Sequence, residues 1–298
     1  MRIQNRISFY AICFIAFLII CIRLIYHPQN VLSYDVFGYY LYLPGLFIYS
    51  DPGLHSIDWV QQINNAYNAA PSLYQITETG AGNWIIRFNC GMAVMFAPFF
   101  LLGHLAAWMS PYPQDGFSAP YQWAIIISGI FYTLIGLIFM RKVLLRFFDD
   151  KVTAVTLILL FIGSNVFFFS TMGNDVPHVY IFTLITLLIW LSIKWHEEPK
   201  AISAAGIGLV AGLTSISRTT GILALLIPIF WGIVDLKSIT AKLRVVLQNY
   251  WQVMVAVMVF ACVLLLQVLY WKFNAGEFEN TSQDEFEKHW NYLREKFK

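Results

Sequence analysis

Apolar residues run along this chain in long unbroken blocks, not in the alternating or one-faced patterns of a water-soluble fold. Blocks at 7–26, 121–140, 152–170, 176–193, 201–217, 220–236 and 250–271 each approach the ~20 residues a helix needs to cross the hydrocarbon layer. An eighth block, 91–109, reads GMAVMFAPFFLLGHLAAWM and is interrupted by Pro98 and His104. The stretch 34–49, YDVFGYYLYLPGLFIY, is of another kind. It is aromatic and amphipathic, suited to lying along the lipid headgroups.

Basic residues orient the blocks, because lysine and arginine favour the cytoplasmic side. Arg2 and Arg6 place the start inside. The cluster Arg141, Lys142, Arg146 and Lys151 belongs inside too, as do Lys194, Lys200, Lys237, Lys242 and Arg244. These placements agree with one another only if 91–109 lies at the outer interface or re-enters without crossing. Residues 27–120 then form one long outer loop, whose Asp35, Asp51, Asp58, Glu78 and Asp115 outweigh its Arg87. The expected fold is an all-α integral membrane protein of about seven transmembrane helices, with a large first outer loop containing interfacial helices. Its core spans 1–271, and a charged tail occupies 272–298. No small-x-small cleavage site follows the first block, which is therefore read as a retained anchor and not a signal peptide.

Composition agrees with this reading. The chain is 58% hydrophobic and 12% charged, against roughly 25% charged for a soluble domain. A net charge of +2 argues against a nucleic-acid partner. Cys13, Cys21, Cys90 and Cys262 form no CxxC pair and read as small packing residues. No long-period repeat or low-complexity tract is visible. Phosphate-binding glycine loops, Walker motifs, HExxH and GxSxG are absent, which argues against soluble nucleotide chemistry.

On the expected topology a few polar groups gather on the outer face. Asp35 sits among Tyr34, Phe37, Tyr39, Tyr40 and Tyr42. A carboxylate at a membrane boundary is costly unless it has a partner or a task. It can be tuned to accept a proton from a hydroxyl, while the tyrosines stack on sugar rings or hold the segment at the headgroups. The plainer alternative is a helix N-cap. Asp175 and His178, in TMGNDVPHVY, share a helix face, with Pro177 fitting the first turn. Asp175 either serves chemistry or only complements a helix N-terminus. The DxxH spacing alone is too thin for a tight protein-only metal site, and no metal site is predicted. Arg218, in SISRTTG, is either a snorkelling side chain or a fork of donors for phosphate. Arg87, in NWIIRFNCG, has the same two readings. Gly208 and Gly212 form a GxxxG that signals close helix packing.

The order of these features resembles the C-type glycosyltransferase (GT-C) superfamily, in particular bacterial protein O-mannosyltransferases and aminoarabinose transferases. The resemblance rests on an aspartate in a large outer loop, a proline-broken PFFLLGHLAAW helix, two spans joined by a basic loop, and an acid before a span in NDVPHVYIFTLITLL. DGFSAPYQ, HVYIF and RTTG are further segments of that kind. The resemblance implies an integral membrane glycosyltransferase of the bacterial cytoplasmic (inner) membrane, active on its outer face. It would transfer a sugar from a polyprenyl-phosphate donor to an acceptor. Asp35 and Asp175 would then be the catalytic acids, Arg218, His178 and Arg87 the donor-phosphate contacts, and Tyr34, Tyr39 and Tyr40 the sugar-stacking rings. A divalent cation held jointly by Asp35, Asp175 and a donor phosphate is chemically feasible. Two alternatives stay open: a non-catalytic or truncated GT-C-like subunit, and a transporter or flippase of lipid-linked sugars. The second would want polar groups in mid-span, where only mild ones occur: Thr156, Ser164, Asn165, Thr183 and Thr186.

Overall fold

In lipid every backbone amide must be satisfied within its own segment, so apolar blocks have little choice but to become helices. A computed structural model describes residues 6–26, 30–79, 83–173 and 177–275. Helix α1 (Ile7–Ile25) is followed by the short helices α2 (Tyr34–Tyr40), α3 (Tyr42–Phe47) and α4 (Asp58–Tyr67). A hairpin of β1 (Ile76–Glu78) and β2 (Trp84–Ile86) comes next. Then come α5 (Gly91–Trp108), α6 (Ala119–Leu144), α7 (Asp150–Ile162), α8 (Asn165–Thr171), α9 (His178–Glu197) and α10 (Ala201–Ser217). A 3-10 helix (Thr219–Leu225) leads into α11 (Leu226–Phe230), α12 (Leu236–Gln248) and α13 (Tyr250–Ala275). The five helices α1, α5, α6, α9 and α13 are long and apolar enough to cross a membrane, and α7 with α8 makes a sixth if the bent pair is one span. The chain is thus a helical protein with the makings of a multi-pass membrane protein.

Three details depart from the sequence reading. The block 152–170 is not one straight helix but bends by 65° between α7 and α8. The Ser164 hydroxyl donates back to the Leu160 carbonyl at 2.6 Å and also accepts from the Val166 amide at 3.2 Å. One side chain therefore serves the end of one helix and caps the next. The block 220–236 is a 3-10 helix plus a short α-helix ending before Gly232, whose φ is +80°. Gly221 lies so close to the Thr214 carbonyl that a Cβ would overlap it, which accounts for a tight, irregular descent beside α10. The region between α1 and α6 also holds the two-stranded hairpin, paired Ile76↔Ile86 and Glu78↔Trp84.

Side-chain contacts identify the two ends of the bundle. At the basic end, Asp150 accepts from the Ile7 and Ser8 amides, and Arg141 Nε donates to Ser8 Oγ at 2.7 Å. Arg146 pairs with Glu197 there, and Gln252 joins Trp195 and the Pro199 carbonyl. At the other end, Gln122 Oε1 accepts from the Val31 and Leu32 amides, and Gln267 Oε1 accepts from the Cys90 amide at 2.7 Å. Helix α5 has the length of a span and packs between the finish of α10 and the first half of α6. Gly91 abuts Ile216 and Ser217 at the finish of α10, and Gly103 abuts Pro120, Tyr121 and Ala124 at the start of α6. Between them the Tyr132 hydroxyl donates to the Met95 carbonyl.

The glycine pair at 208 and 212 does what close packing asks. A Cβ at Gly208 would overlap the Ala256 carbonyl, and one at Gly212 would press on Val263, so α10 and α13 run in backbone contact. The main core reaches from this pair through α9, α6 and α5 into α2–α4, joining these short helices to the bundle.

Candidate active site

Asp35 lies in the first turn of α2, whose cap position is Ser33, so the N-cap alternative for Asp35 is not realised. Tyr34 just before it has φ +51°, an uncommon value for a tyrosine. Two bonds hold it there: its amide donates to the Ala69 carbonyl at 2.9 Å, and its carbonyl accepts from Gln75 Nε2 at 2.9 Å. That conformation turns both Tyr34 and Asp35 outward, and both are exposed. Asp35 Oδ1 accepts a hydrogen bond of 2.7 Å from the Tyr74 hydroxyl. Burial, then that bond and the carboxylate charge, push the Tyr74 phenol up to about 12. The hydroxyl therefore stays protonated and continues to donate.

Asp35 opens onto a cleft of about 470 Å³ whose far wall is Phe168, Phe169, Met172 and Gly173, at the end of α8. That wall is fastened by Arg23 near the end of α1. The Arg23 side chain is 2% exposed, and its guanidinium donates to the Ser170 carbonyl at 3.0 Å and the Phe169 carbonyl at 3.1 Å. An arginine at a helix C-terminus meets carbonyls that have no intrahelical donor. Phe169 in turn stacks on His178, the first residue of α9, with centroids 4.4 Å apart and planes 16° from parallel.

A second, more polar pocket of about 300 Å³ lies alongside. It takes Tyr39 from α2, Arg87 and Asn89 after the hairpin, and Ser217, Arg218 and Thr219 after α10. The hairpin is docked on α13 by the Ile86 amide, which donates to the Tyr270 hydroxyl at 3.0 Å. Asn89 Nδ2 reaches Thr219 Oγ1 at 3.3 Å. Phe88 forms the partition between pocket and cleft: its ring meets Tyr39 edge-on at 4.6 Å and lies 6.4 Å from Tyr74. Gly38 allows that approach, since a Cβ there would overlap Phe88.

Electrostatics tie the two cavities together. Tyr39 is one helical turn beyond Asp35. Burial raises its phenol, the Arg218 guanidinium pulls it back, and the Asp35 carboxylate raises it further. One hydroxyl thus senses both the acid of the cleft and the arginine of the pocket. His178 also lies within electrostatic range of Arg218. Of the expected site residues, Asp35, Tyr34, Tyr39, Arg87, Arg218 and His178 come together here. Asp175 and Asn174 lie outside the described residues.

One expectation fails. Tyr40 is fully buried among Phe96, Phe100 and Phe117, its hydroxyl donating to the Gly116 carbonyl at 2.6 Å, so it cannot stack on an external sugar. Helical geometry explains the error. Tyr39 and Tyr40 are about 100° apart around α2, and only one of them can face the pocket. Other acids of residues 27–120 are taken up by structure. Asp115 accepts from the Phe117 and Ser118 amides and from Tyr67. Asp51 accepts from His55, Ser56 and Trp59. Among the described residues no three of His, Cys, Asp and Glu come close enough to hold a metal ion.

Sequence reasoning missed Tyr74 and Arg23. Tyr74 stands in an unremarkable loop, and nothing local links it to Asp35. Arg23 carried a signal: a cation inside a span is costly and has to be held by something. Comparison with protein families, curated proteins and solved structures finds no match to this chain.

Proposed function

We propose that the chain is a membrane transferase that takes a sugar from a polyprenyl-phosphate donor on the outer face of a bacterial cytoplasmic membrane. The observation that carries the reading is that Asp35 and Arg218, far apart in sequence, flank one tyrosine at the same end of an apolar bundle. A lipid-linked donor presents its phosphate and sugar at that depth.

In this reading the donor phosphate sits in the pocket between Arg87 and Arg218, whose guanidinium forks match phosphate oxygens. The sugar extends past Tyr39 toward the cleft, with Tyr34 as the exposed ring at its rim. An acceptor hydroxyl enters beside Asp35. Its oxygen forms the new bond to the anomeric carbon while the bond from that carbon to the phosphate oxygen breaks. The bonding pair leaves with the polyprenyl phosphate, and the hydroxyl proton passes to the Asp35 carboxylate. Charge grows on the leaving phosphate, and Arg218, aided by His178, stabilises it. Tyr74 holds Asp35 Oδ1 and leaves Oδ2 for the acceptor. Asp175 is kept as the second acid.

The test is a proteoliposome assay with radiolabelled polyprenyl-phosphate sugars, following release of polyprenyl phosphate. The parent chain should turn over, and Asp35→Asn, Asp175→Asn and Arg218→Ala should not. Unchanged turnover in all three variants would refute the mechanism.

A further inference from the structure

The basic end carries a chamber of its own. It holds about 370 Å³ and is walled by Trp195, Ile207, Pro228, Ile239, Leu243 and Val253, from α9 to α13. Two polar side chains also border it, and they are committed to each other. His196 Nδ1 lies 2.7 Å from the Ser192 carbonyl, which can only accept, so Nδ1 carries the proton and Nε2 the lone pair. Lys242 Nζ donates to that Nε2, to the Pro228 carbonyl at 2.8 Å and to the Trp231 carbonyl at 3.2 Å. All three ammonium protons are used. Lys242 is a latch that fastens α12 across α11 and α9, and it leaves the chamber an apolar wall. A chamber of that kind does not hold water well and takes hydrocarbon.

Helix α12 is amphipathic. Leu236, Ile239, Leu243 and Leu247 form one exposed apolar stripe, 37–82% accessible. Lys237, Arg244 and Gln248 follow the neighbouring stripe and are exposed, and no acid lies within the helix. A basic helix with one apolar face, set between two lipid-level helices, belongs in the headgroup layer. Leu243 belongs both to the chamber and to an open groove of Thr240, Arg244, Leu247 and Gln248. An apolar chamber and a basic groove therefore meet at one residue, which is the layout of a lipid's tail and head.

We propose that this end binds an anionic phospholipid, its acyl chain in the chamber and its phosphate on Arg244. The site is independent of the transferase reading, because it lies at the opposite end of the bundle from Asp35. Charge selects the headgroup: Lys237 and Arg244 add to the attraction of an anionic leaflet surface. A water-soluble ligand would bring polar groups that the chamber has nothing left to satisfy.

The experiment uses the full chain in nanodiscs that mix phosphatidylcholine and phosphatidylglycerol. Photoactivatable probes with the reactive group near the chain end, one for each headgroup, are mapped by mass spectrometry. The phosphatidylglycerol probe should label Ile239, Leu243 and Val253 several-fold more than the phosphatidylcholine probe. Arg244→Gln, an exposed change that leaves folding intact, should erase that preference. Ala204→Phe, which fills the chamber, should remove the labelling by either probe. Equal labelling by the two probes in the parent chain, a preference that survives Arg244→Gln, or labels confined to outward residues such as Phe230 and Leu269 would each overturn the proposal. If Ala204→Phe fails to fold, the Arg244→Gln comparison decides alone.

Discussion

The two ends of the bundle are built on different terms. At the Asp35 end, backbone carbonyls and amides from distant segments are met by side chains: Gln122 on Val31 and Leu32, Gln267 on Cys90, Arg23 on Phe169 and Ser170. Phe37, Tyr40, Phe96, Phe100 and Phe117 are wholly buried beneath them. At the basic end α12 is held by the Lys242 latch, and none of its residues, all of them described, is buried. The first end is closed by protein and holds polar groups at set positions, as chemistry requires. At the second, α12 leaves an apolar stripe exposed. The difference is that α12 leaves its leucines exposed while the Asp35 end buries its aromatic rings.

That contrast can be broken most severely at the site. Asp35→Asn keeps the shape and the Tyr74 bond but removes the base, and transfer should fall by about 10²–10⁴-fold. Arg218→Ala should cost about 10²–10³-fold by removing a donor from the leaving phosphate. Radiolabel transfer in proteoliposomes measures both. A loss in the first that is rescued at raised pH would argue against Asp35 as the proton acceptor.

Packing beneath the site should respond next. Gly208→Leu forces a side chain into the Ala256 carbonyl. Overpacking costs about 1–3 kcal/mol where side chains can yield, and here backbone opposes it, so thermal unfolding in detergent should fall at the upper end of that range. Arg23→Met strands the buried carbonyls of Phe169 and Ser170, for about 1–3 kcal/mol. It should also lower transfer, because those residues wall the Asp35 cleft, and a stability loss with full activity would separate the wall from the chemistry.

A smaller effect is expected from acid. Burial raises the Asp51 carboxyl, but hydrogen bonds from His55, Ser56 and Trp59 outweigh it and hold it below the usual carboxylate range. Its stabilisation is therefore complete above the unfolded value of about 3.9 and is lost as pH falls through the lower folded value. Fluorescence of Trp59, stacked on Tyr49 at 4.3 Å, reports the loop. The acid transition should flatten in Asp51→Asn. Least of all, Lys237→Gln on α12 should change unfolding by no more than about 0.5 kcal/mol, as exposed substitutions do. A larger loss there would mean the basic end is closed by protein after all.

Some of the site was legible because it obeys local rules. Asp35 drew notice as an acid among aromatic rings, Arg218 as a cation where two apolar blocks meet, and Gly208 with Gly212 as small residues one turn apart. These signals depend on hydropathy and spacing, which a linear chain carries. Tyr74 as the partner of Asp35, the hairpin that presents Arg87, and the choice of Tyr39 over Tyr40 as the pocket's ring all follow from contacts between segments distant in sequence. The bend at Ser164 was not read from the sequence, where 152–170 is one apolar block.

Hydrophobic length alone determined that this protein is a bundle of membrane-length helices, since unpaired backbone amides are not tolerated in hydrocarbon. Basic residues at alternate junctions determined which helix ends share a side. Only the tertiary structure decided which acid meets which phenol and which tyrosine turns outward. Those outcomes rest on packing between faces, and a face has no existence until its neighbours are in place.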